Sequence, residues 1–263
     1  MKSVQASESQ HVESLGRVLD VLELFTAGGP ELSLTDIAER LKWPTPTAHR
    51  VVSTLLARGF LARDPRTKRL RIGMSVMRLV GPLMSGLALP DLAQPFLRTL
   101  AQDTGETVNL AVLDGAEVLY LASAPGSFLL RVDTTPGLRT PAHCTALGKC
   151  MLAQLDPADA QQQLGGAPYV ARTDRSVQSW EQLAAQLDTI RSDGFALSVE
   201  EYEAGLNSCA VPVPTHNGVI AAINIAASAI RVPAQDLVTT FVPRLKATAE
   251  AIARAQGLEP DNP

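Results

Sequence analysis

Between Thr45 and Arg69 the chain collects side chains suited to holding phosphate and reading base edges. Arg50 carries a planar guanidinium that matches the two acceptors on a guanine edge. Thr45 and Thr47 offer short hydroxyls for a backbone phosphate, and His49 and Ser53 flank Arg50 at helical spacing. A second cationic group, Arg66, Lys68 and Arg69, follows within twenty residues. The alternative for all eight is an ordinary solvated face. Further along, His143 and Cys144 adjoin the start of an apolar segment, with Cys150 six residues on. A thiol at a helix start can ionise readily, but adjacent residues seldom place base and nucleophile correctly. The spacing also lacks the paired CxxC form of a zinc site. No catalytic residue, metal or cofactor is expected.

The elements around the first group have a definite order. SLGRVLDVLELFTA repeats Leu15, Val18, Leu22 and Phe25 at helical spacing, and Gly28-Gly29-Pro30 stops it. Ser33 suits the N-cap of a second helix, LTDIAERL, with Asp36 in its first turn and Leu34, Ile37, Ala38 and Leu41 inward. Trp43-Pro44 interrupts. Thr45 can cap a third helix whose first residue, Pro46, has no N–H to leave unpaired. Burying Ala48, Val51, Val52 and Leu55 turns Thr47, Arg50, Ser53 and Thr54 outward, with His49 at the edge. Gly59 suits the residue just past the helix end. Phe60–Arg63 and Arg69–Ile72 then flank a Pro-containing turn and form a hairpin. Three helices and a hairpin make a winged helix-turn-helix, with the start of the third helix aimed at a major groove.

Met74 to Leu89 reads as a linker helix kinked at Gly81-Pro82. Beyond it, helices are expected at Asp91–Thr104, Cys144–Gln154, Trp180–Ser192 and Ala234–Ala255, the last kinked at Pro243. Strands are expected at Thr107–Leu113 and Glu117–Ala122, joined by Asp114-Gly115-Ala116. More follow at Phe195–Val199, Cys209–Val213 and Val219–Ala226, the last two joined through His216-Asn217-Gly218. Phe128–Val132 is either a strand or a loop crossing a cleft. Antiparallel strands with helices alongside define an α+β domain. The divisions are a tail at 1–11, the winged helix-turn-helix at 12–74, the linker helix at 75–89, an effector-binding domain at 90–256 and a tail at 257–263.

Composition narrows the class. With 46% hydrophobic and 19% charged residues the 263-residue chain is globular. It has no apolar run long enough for a membrane span and no secretory leader. Three scattered cysteines suit a reducing cytoplasm. Net charge is −4, yet ten basic residues and a single acid, Asp64, lie between Arg40 and Arg78. That local field, and not the overall balance, points to nucleic acid.

These segments resemble a known family. SLGRVLDVLELF, LSLTDIAERLKWPTPTAHRVVSTLLARGFLARD and KRLRIGMSVMRLV are similar to the N-terminal domain of IclR-type bacterial transcriptional regulators. PAHCTALGKCMLA resembles their segment of small residues ending in Gly-Lys. GFALSVEEYEAGLNSCAVPVPTHNGVIAAINIAAS resembles their C-terminal signature, and the likeness spans roughly residues 12–255. The stretch SGLALPDLAQPFL resembles the branch that regulates aromatic-acid and β-ketoadipate catabolism. The resemblance implies a winged-helix DNA-binding domain, a linker helix and a GAF-like effector domain. It also implies a homodimer, or a dimer of dimers, on palindromic double-stranded DNA. One departure is Trp43, which stands where the family's turn has a small residue.

The same resemblance implies an effector site for a small organic acid. The helix starting near Cys144 offers free N–H groups to an anion, unless Thr145 caps it. The family sets the backbone of Ala146 and Leu147 against a carboxylate. Its apolar wall falls on Leu129, Val132, Thr140 and Leu206, and its polar contacts on Ser198, Ser208, Asn224 and Ala226. Members that take very small keto acids carry an acid at the Ser198 position and hydroxyls at the Asn224 and Ala226 positions, as the resemblance implies; here the acid is absent and one hydroxyl is replaced by the Ala226 methyl. Their absence implies a less polar pocket for an aromatic or longer acid. Arg131 and Arg139 are either carboxylate partners or surface ion-pair residues. The reading is a ligand-responsive regulator of a catabolic operon. The alternative is a small-molecule enzyme whose winged helix binds protein.

Overall fold

The computed structural model describes residues 13–27, 31–79, 89–215 and 220–258. It divides into two units, on either side of residues 87 and 88. The N-terminal tail, Gly28-Gly29-Pro30, the Gly81-Pro82 kink, the His216-Asn217-Gly218 turn and the end of the chain lie outside the described residues.

In the first unit, α1 (Glu13–Ala27), α2 (Leu34–Leu41) and α3 (Thr45–Ala57) surround one apolar core. Ser33 and Asp36 cap α2 reciprocally: Ser33 Oγ accepts from Asp36 N at 3.0 Å, and Asp36 accepts from Ser33 N at 2.8 Å. Hydrogen bonding from Ser33, its backbone N–H first and its side chain second, holds the Asp36 carboxyl below its usual pKa. Lys42 ends α2 in the left-handed region, at φ 55°. Pro44 occupies the N-cap of α3, so Thr45 is the first helical residue and caps nothing. This corrects the expected start by one residue; the Pro44 carbonyl accepts from Thr47 N and Ala48 N instead. Ala48, Val51, Val52 and Leu55 are the buried face of α3, as the spacing requires. Leu15, expected inward on α1, is 63% exposed, and Val21 is the fully buried residue of that helix.

The hairpin β1 (Leu61–Arg63) and β2 (Leu70–Ile72) completes this unit. Leu32 pairs with Leu70 and adds a one-residue third strand. The turn is held by Asp64 Oδ1, which accepts from Arg66 N at 2.8 Å and Thr67 N at 2.7 Å. After it, Met74–Val76 forms one tight turn and residues 77–79 are helical. The rest of the expected linker helix lies outside the described residues.

In the second unit, α4 (Leu89–Thr104) leads to an antiparallel sheet of six strands. They are β3 (Thr107–Asp114), β4 (Glu117–Ala124), β5 (Arg139–Pro141), β6 (Ala196–Val199), β7 (Leu206–Val213) and β8 (Ala221–Ser228). The order across the sheet is β5-β4-β3-β8-β7-β6. Phe128–Val132 is part of the loop between β4 and β5, not a strand. Between β5 and β6 run α5 (Ala146–Leu152), α6 (Pro157–Leu164) and α7 (Trp180–Asp193). The chain's closing helix, α8 (Val242–Ala255), follows a wide π-type turn at Leu237–Phe241. Pro243, at the start of α8, has no N–H to donate back to that turn.

Alternation along the strands gives the sheet two different faces. Val108, Leu110, Val211, Ile223 and Ile225 face α4 and α8. Ala111, Ala196, Ala210 and Ala222 form a bed of methyl groups under α5 and its neighbour α7. Gly148 lets α5 sit against the backbone at Ala142. The helix covers only one end of this face and leaves the other, more polar end open. No helix among the described residues is long and apolar enough to cross a membrane.

Candidate functional site

In the first unit the burial of one face of α3 fixes what the other face presents. Thr45, His49, Arg50 and Ser53 are exposed and Thr47 is half-buried. Ser53 Oγ lies 3.5 Å from His49 Nδ1, while Arg50 makes no salt bridge among the described residues. Arg66 and Lys68 stand exposed at the hairpin turn, with Lys68 in the left-handed region at φ 61°. Arg69 differs from the other two. It turns back on the helices, 3.4 Å from Asp36 Oδ2 and 3.2 Å from the Glu31 carbonyl, bracing the wing to the start of α2. Trp43 is half-buried in the core's rim, with the Arg17 guanidinium 5.8 Å from its ring centre.

In the second unit the open end of the alanine-lined face is a cavity of about 170 Å³. Strand pairing builds its floor. Ser198 pairs with Ser208, Ser208 with Ala226, and Asn109 with Asn224. Thr140, Ala146, Val132 and Leu206 complete the expected residues that line it. Two expected residues do not. Leu129 stands on the surface at 102% exposure, because the 125–138 loop turns it outward. Leu147, expected to contribute only its backbone, packs its side chain into the core between α5 and the sheet. Asn109, Tyr120, Asp133, Thr134, Leu138, Tyr202 and Glu203 line the cavity and were not anticipated. No Lys, Arg or His is among the lining residues. Arg131 pairs with Asp133, and Arg139 with Asp114 and Glu117.

Thr145 caps the start of α5 through a single N–H, that of Gly148. Thr145 Oγ1 accepts from Gly148 N at 3.3 Å and donates to the Pro141 carbonyl at 2.9 Å. With seven residues, α5 is also shorter than expected. Every residue of α5 is buried, and the Lys149 side chain, 2% exposed, reaches Gln186 Oε1 at 2.9 Å and Glu201 Oε1 at 2.5 Å. Burial lowers its pKa and the Glu201 carboxylate opposes that. The pair ties α5 to the 200–205 loop, which carries Tyr202 and Glu203. Thr173, Ser176 and Arg172 grip the carbonyls of Glu200, Glu201 and Tyr202 from the other side.

The thiols have no catalytic setting. All three cysteines are buried and unpaired. Burial pushes the Cys144 thiol up to about 11, the opposite of activation. His143 stacks on Tyr169 with ring centres 5.1 Å apart, and its Nε2 lies 3.1 Å from the Val170 carbonyl oxygen. Both of these His143 ring contacts are to the 169–170 segment.

A cationic winged helix in one unit and, in the other, a sheet domain with a small polar cavity are the parts of a ligand-responsive DNA-binding regulator. Two family models together cover most of the chain. The IclR helix-turn-helix domain matches residues 14–65, and the bacterial transcriptional regulator IclR C-terminal domain matches residues 83–254. The chain belongs to the IclR family of transcriptional regulators. It is 32% identical to the HTH-type transcriptional regulator XynR of Escherichia coli, over 94% of this chain and 98% of that one. It is 33% identical to the Pca regulon regulatory protein of Pseudomonas putida, over 94% and 86%. Among solved structures it resembles an IclR homologue complexed with 4-hydroxybenzoate from Microbacterium hydrocarbonoxydans. The TM-score there is 0.79 and the identity 27%, over 93% of this chain and 99% of that one.

Proposed function

We propose that this regulator acts in the cytoplasm on a catabolic operon and answers to a small organic acid with a single ring. The cavity carries the reading. Its volume of about 170 Å³ is close to that of an engineered cavity of about 150 Å³ that holds benzene. A ring with one or two small substituents matches that volume better than a long dicarboxylate does. The 4-hydroxybenzoate complex of a solved relative points to the same ligand class.

At the DNA, α3 enters the major groove with Arg50 on a base edge, Thr45, Thr47, His49 and Ser53 around it, and Arg66 and Lys68 on the backbone. A homodimer, alone or paired, sets two such helices on a palindromic operator, with half-sites about 34 Å apart or a multiple of it. Acid binding then changes operator affinity through a coupling of about 1–3 kcal/mol. The test is an operator titration at several salt concentrations, with and without benzoate and 4-hydroxybenzoate. A steep salt dependence and a 5- to 150-fold shift by one acid, the range that about 1–3 kcal/mol implies, are expected. Binding that ignores salt, or an affinity that neither acid alters, overturns the reading.

A further inference from the structure

Left-handed backbone sets the Cβ of a residue against the following carbonyl oxygen, and glycine escapes that crowding. The chain uses glycine accordingly. Gly59, Gly105, Gly194 and Gly257 close or follow α3, α4, α7 and α8 at φ of 74°, 74°, 72° and 81°. Gly115 turns the β3–β4 hairpin at φ 62°. Among the described residues three others share that region: Lys42, Lys68 and Glu200. Lys42 closes α2 at φ 55°, and Lys68 lies in the wing turn at φ 61°.

Glu200 shows what such a residue can do with its side chain. At φ 56° it accepts from Gly205 N at 2.9 Å and pairs with Arg175 at 2.7 Å, closing the 200–205 loop. The two lysines have no such task. Both are exposed, and neither ammonium makes a hydrogen bond or ion pair among the described residues. Their backbone is fixed all the same. Lys42 N donates to the Glu39 carbonyl at 3.1 Å, Trp43 N to the Ala38 carbonyl at 2.9 Å, and Lys68 N to the Asp64 carbonyl at 3.0 Å. The half-buried Trp43 ring ties the first of these turns to the core. Lys42 thus leaves a rigid turn three residues before Thr45, where α3 begins. A strained position held by a side chain with no partner inside the unit points to a partner outside it.

We propose that Lys42 grips a DNA backbone phosphate on the α2 side of α3, as Lys68 does on the wing side. This rests on the DNA reading above and adds to it a contact outside both the recognition helix and the wing. In a helix-turn-helix the helix before the recognition helix crosses the DNA backbone, so the end of α2 comes to the phosphates as α3 enters the groove. A lysine there is a point charge on a flexible stem, and it adds affinity without reading sequence. Glycine at position 42 suits the fold better and the DNA worse. That opposition separates a phosphate contact from a structural cap.

The full-length chain tests this, with a duplex that it selects from a random pool and a scrambled duplex of equal length as probes. Lys42→Gly removes the charge and relieves the backbone. Its first unit, followed by Trp43 fluorescence on a Trp180→Phe background, melts a few degrees higher. Its affinity for both duplexes falls by about 8-fold at 0.1 M salt, and the slope of log K against log salt drops by about one. Lys42→Asn, which tolerates the same backbone without a charge, gives the same lowered slope. Lys42→Arg keeps the affinity and slope of the unmodified chain. An unaltered slope in Lys42→Gly and Lys42→Asn, a loss confined to the selected duplex, or a lower melting temperature in Lys42→Gly overturns the assignment while the DNA reading stands. If the unmodified chain selects no duplex, the DNA reading itself falls, and the assignment with it.

Discussion

Gly148 is where the second unit is least able to accept one more carbon. A Cβ built there lies 2.2 Å from the Ala142 carbonyl oxygen and 2.3 Å from the Ala142 Cα. Ordinary contact begins at 3.4 Å, so α5 must retreat from the end of β5 by about 1 Å. Both surfaces are backbone, and no side chain can rotate away. Overpacking of this kind costs about 1–3 kcal/mol, and the rigid geometry argues for the upper end. Against it stands the helix preference for Ala over Gly, worth about 0.5–1 kcal/mol. Gly148→Ala is thus expected to destabilise by about 2 kcal/mol net. Gly16, inside α1, meets nothing within 4 Å, so Gly16→Ala keeps only the favourable term and gains about 0.5–1 kcal/mol. The two tryptophans divide the readout, since Trp43 belongs to the first unit and Trp180 to the second. Denaturant titrations on Trp43→Phe and Trp180→Phe backgrounds report each unit alone. A Trp180 transition in Gly148→Ala at or above the unmodified midpoint would refute the close-packing argument.

Further outcomes follow from the same geometry. Arg50→Ala is expected to cost about 1–3 kcal/mol of operator affinity and to relax discrimination at one base pair, measured by titration against single-substituted operators. Lys68→Gln should lower the salt slope of binding by about one, while Arg69→Ala should leave it nearly unchanged, since Arg69 is engaged with Asp36 and Glu31. Burial lowers the His143 pKa, with Lys149 adding to it against the Val170 hydrogen bond. The unfolded chain then takes up the proton first as pH falls below 6.5, so stability drops there by at most about 1.4 kcal/mol per pH unit. His143→Gln should flatten that limb in melts between pH 6.5 and 5, and an unchanged limb would acquit His143.

How much of this was legible in one sequence depends on the range of the interactions involved. The face of α3 was readable in full because helical period is local: Ala48, Val51, Val52 and Leu55 are all inward. The same logic failed by one residue at its start, since Pro44 fits the N-cap backbone and leaves Thr45 no capping role. Leu15 followed the period of α1 yet finds no core to enter, because burial also needs a neighbour. The α6 helix was missed altogether; its one signal is Asp156-Pro157 at the start, with only Ala160 buried to give a period.

The cavity divides along the same line. Ser198, Ser208 and Asn224 came from a signature and sit on one face of adjacent strands. Asn109 did not, because its place there depends on β3 pairing with β8, 115 residues away. Leu129 was placed by analogy onto a loop, where no period constrains direction, and the loop turns it out. Lys149 shows what spacing cannot convey. An isolated buried ammonium costs several kcal/mol, so a Lys inside α5 reads as an exposed residue until Glu201 and Gln186 are known to meet it. Once they do, the ion pair fixes the 200–205 loop to α5. That bond joins the two cavity walls that carry Tyr202 and Ala146.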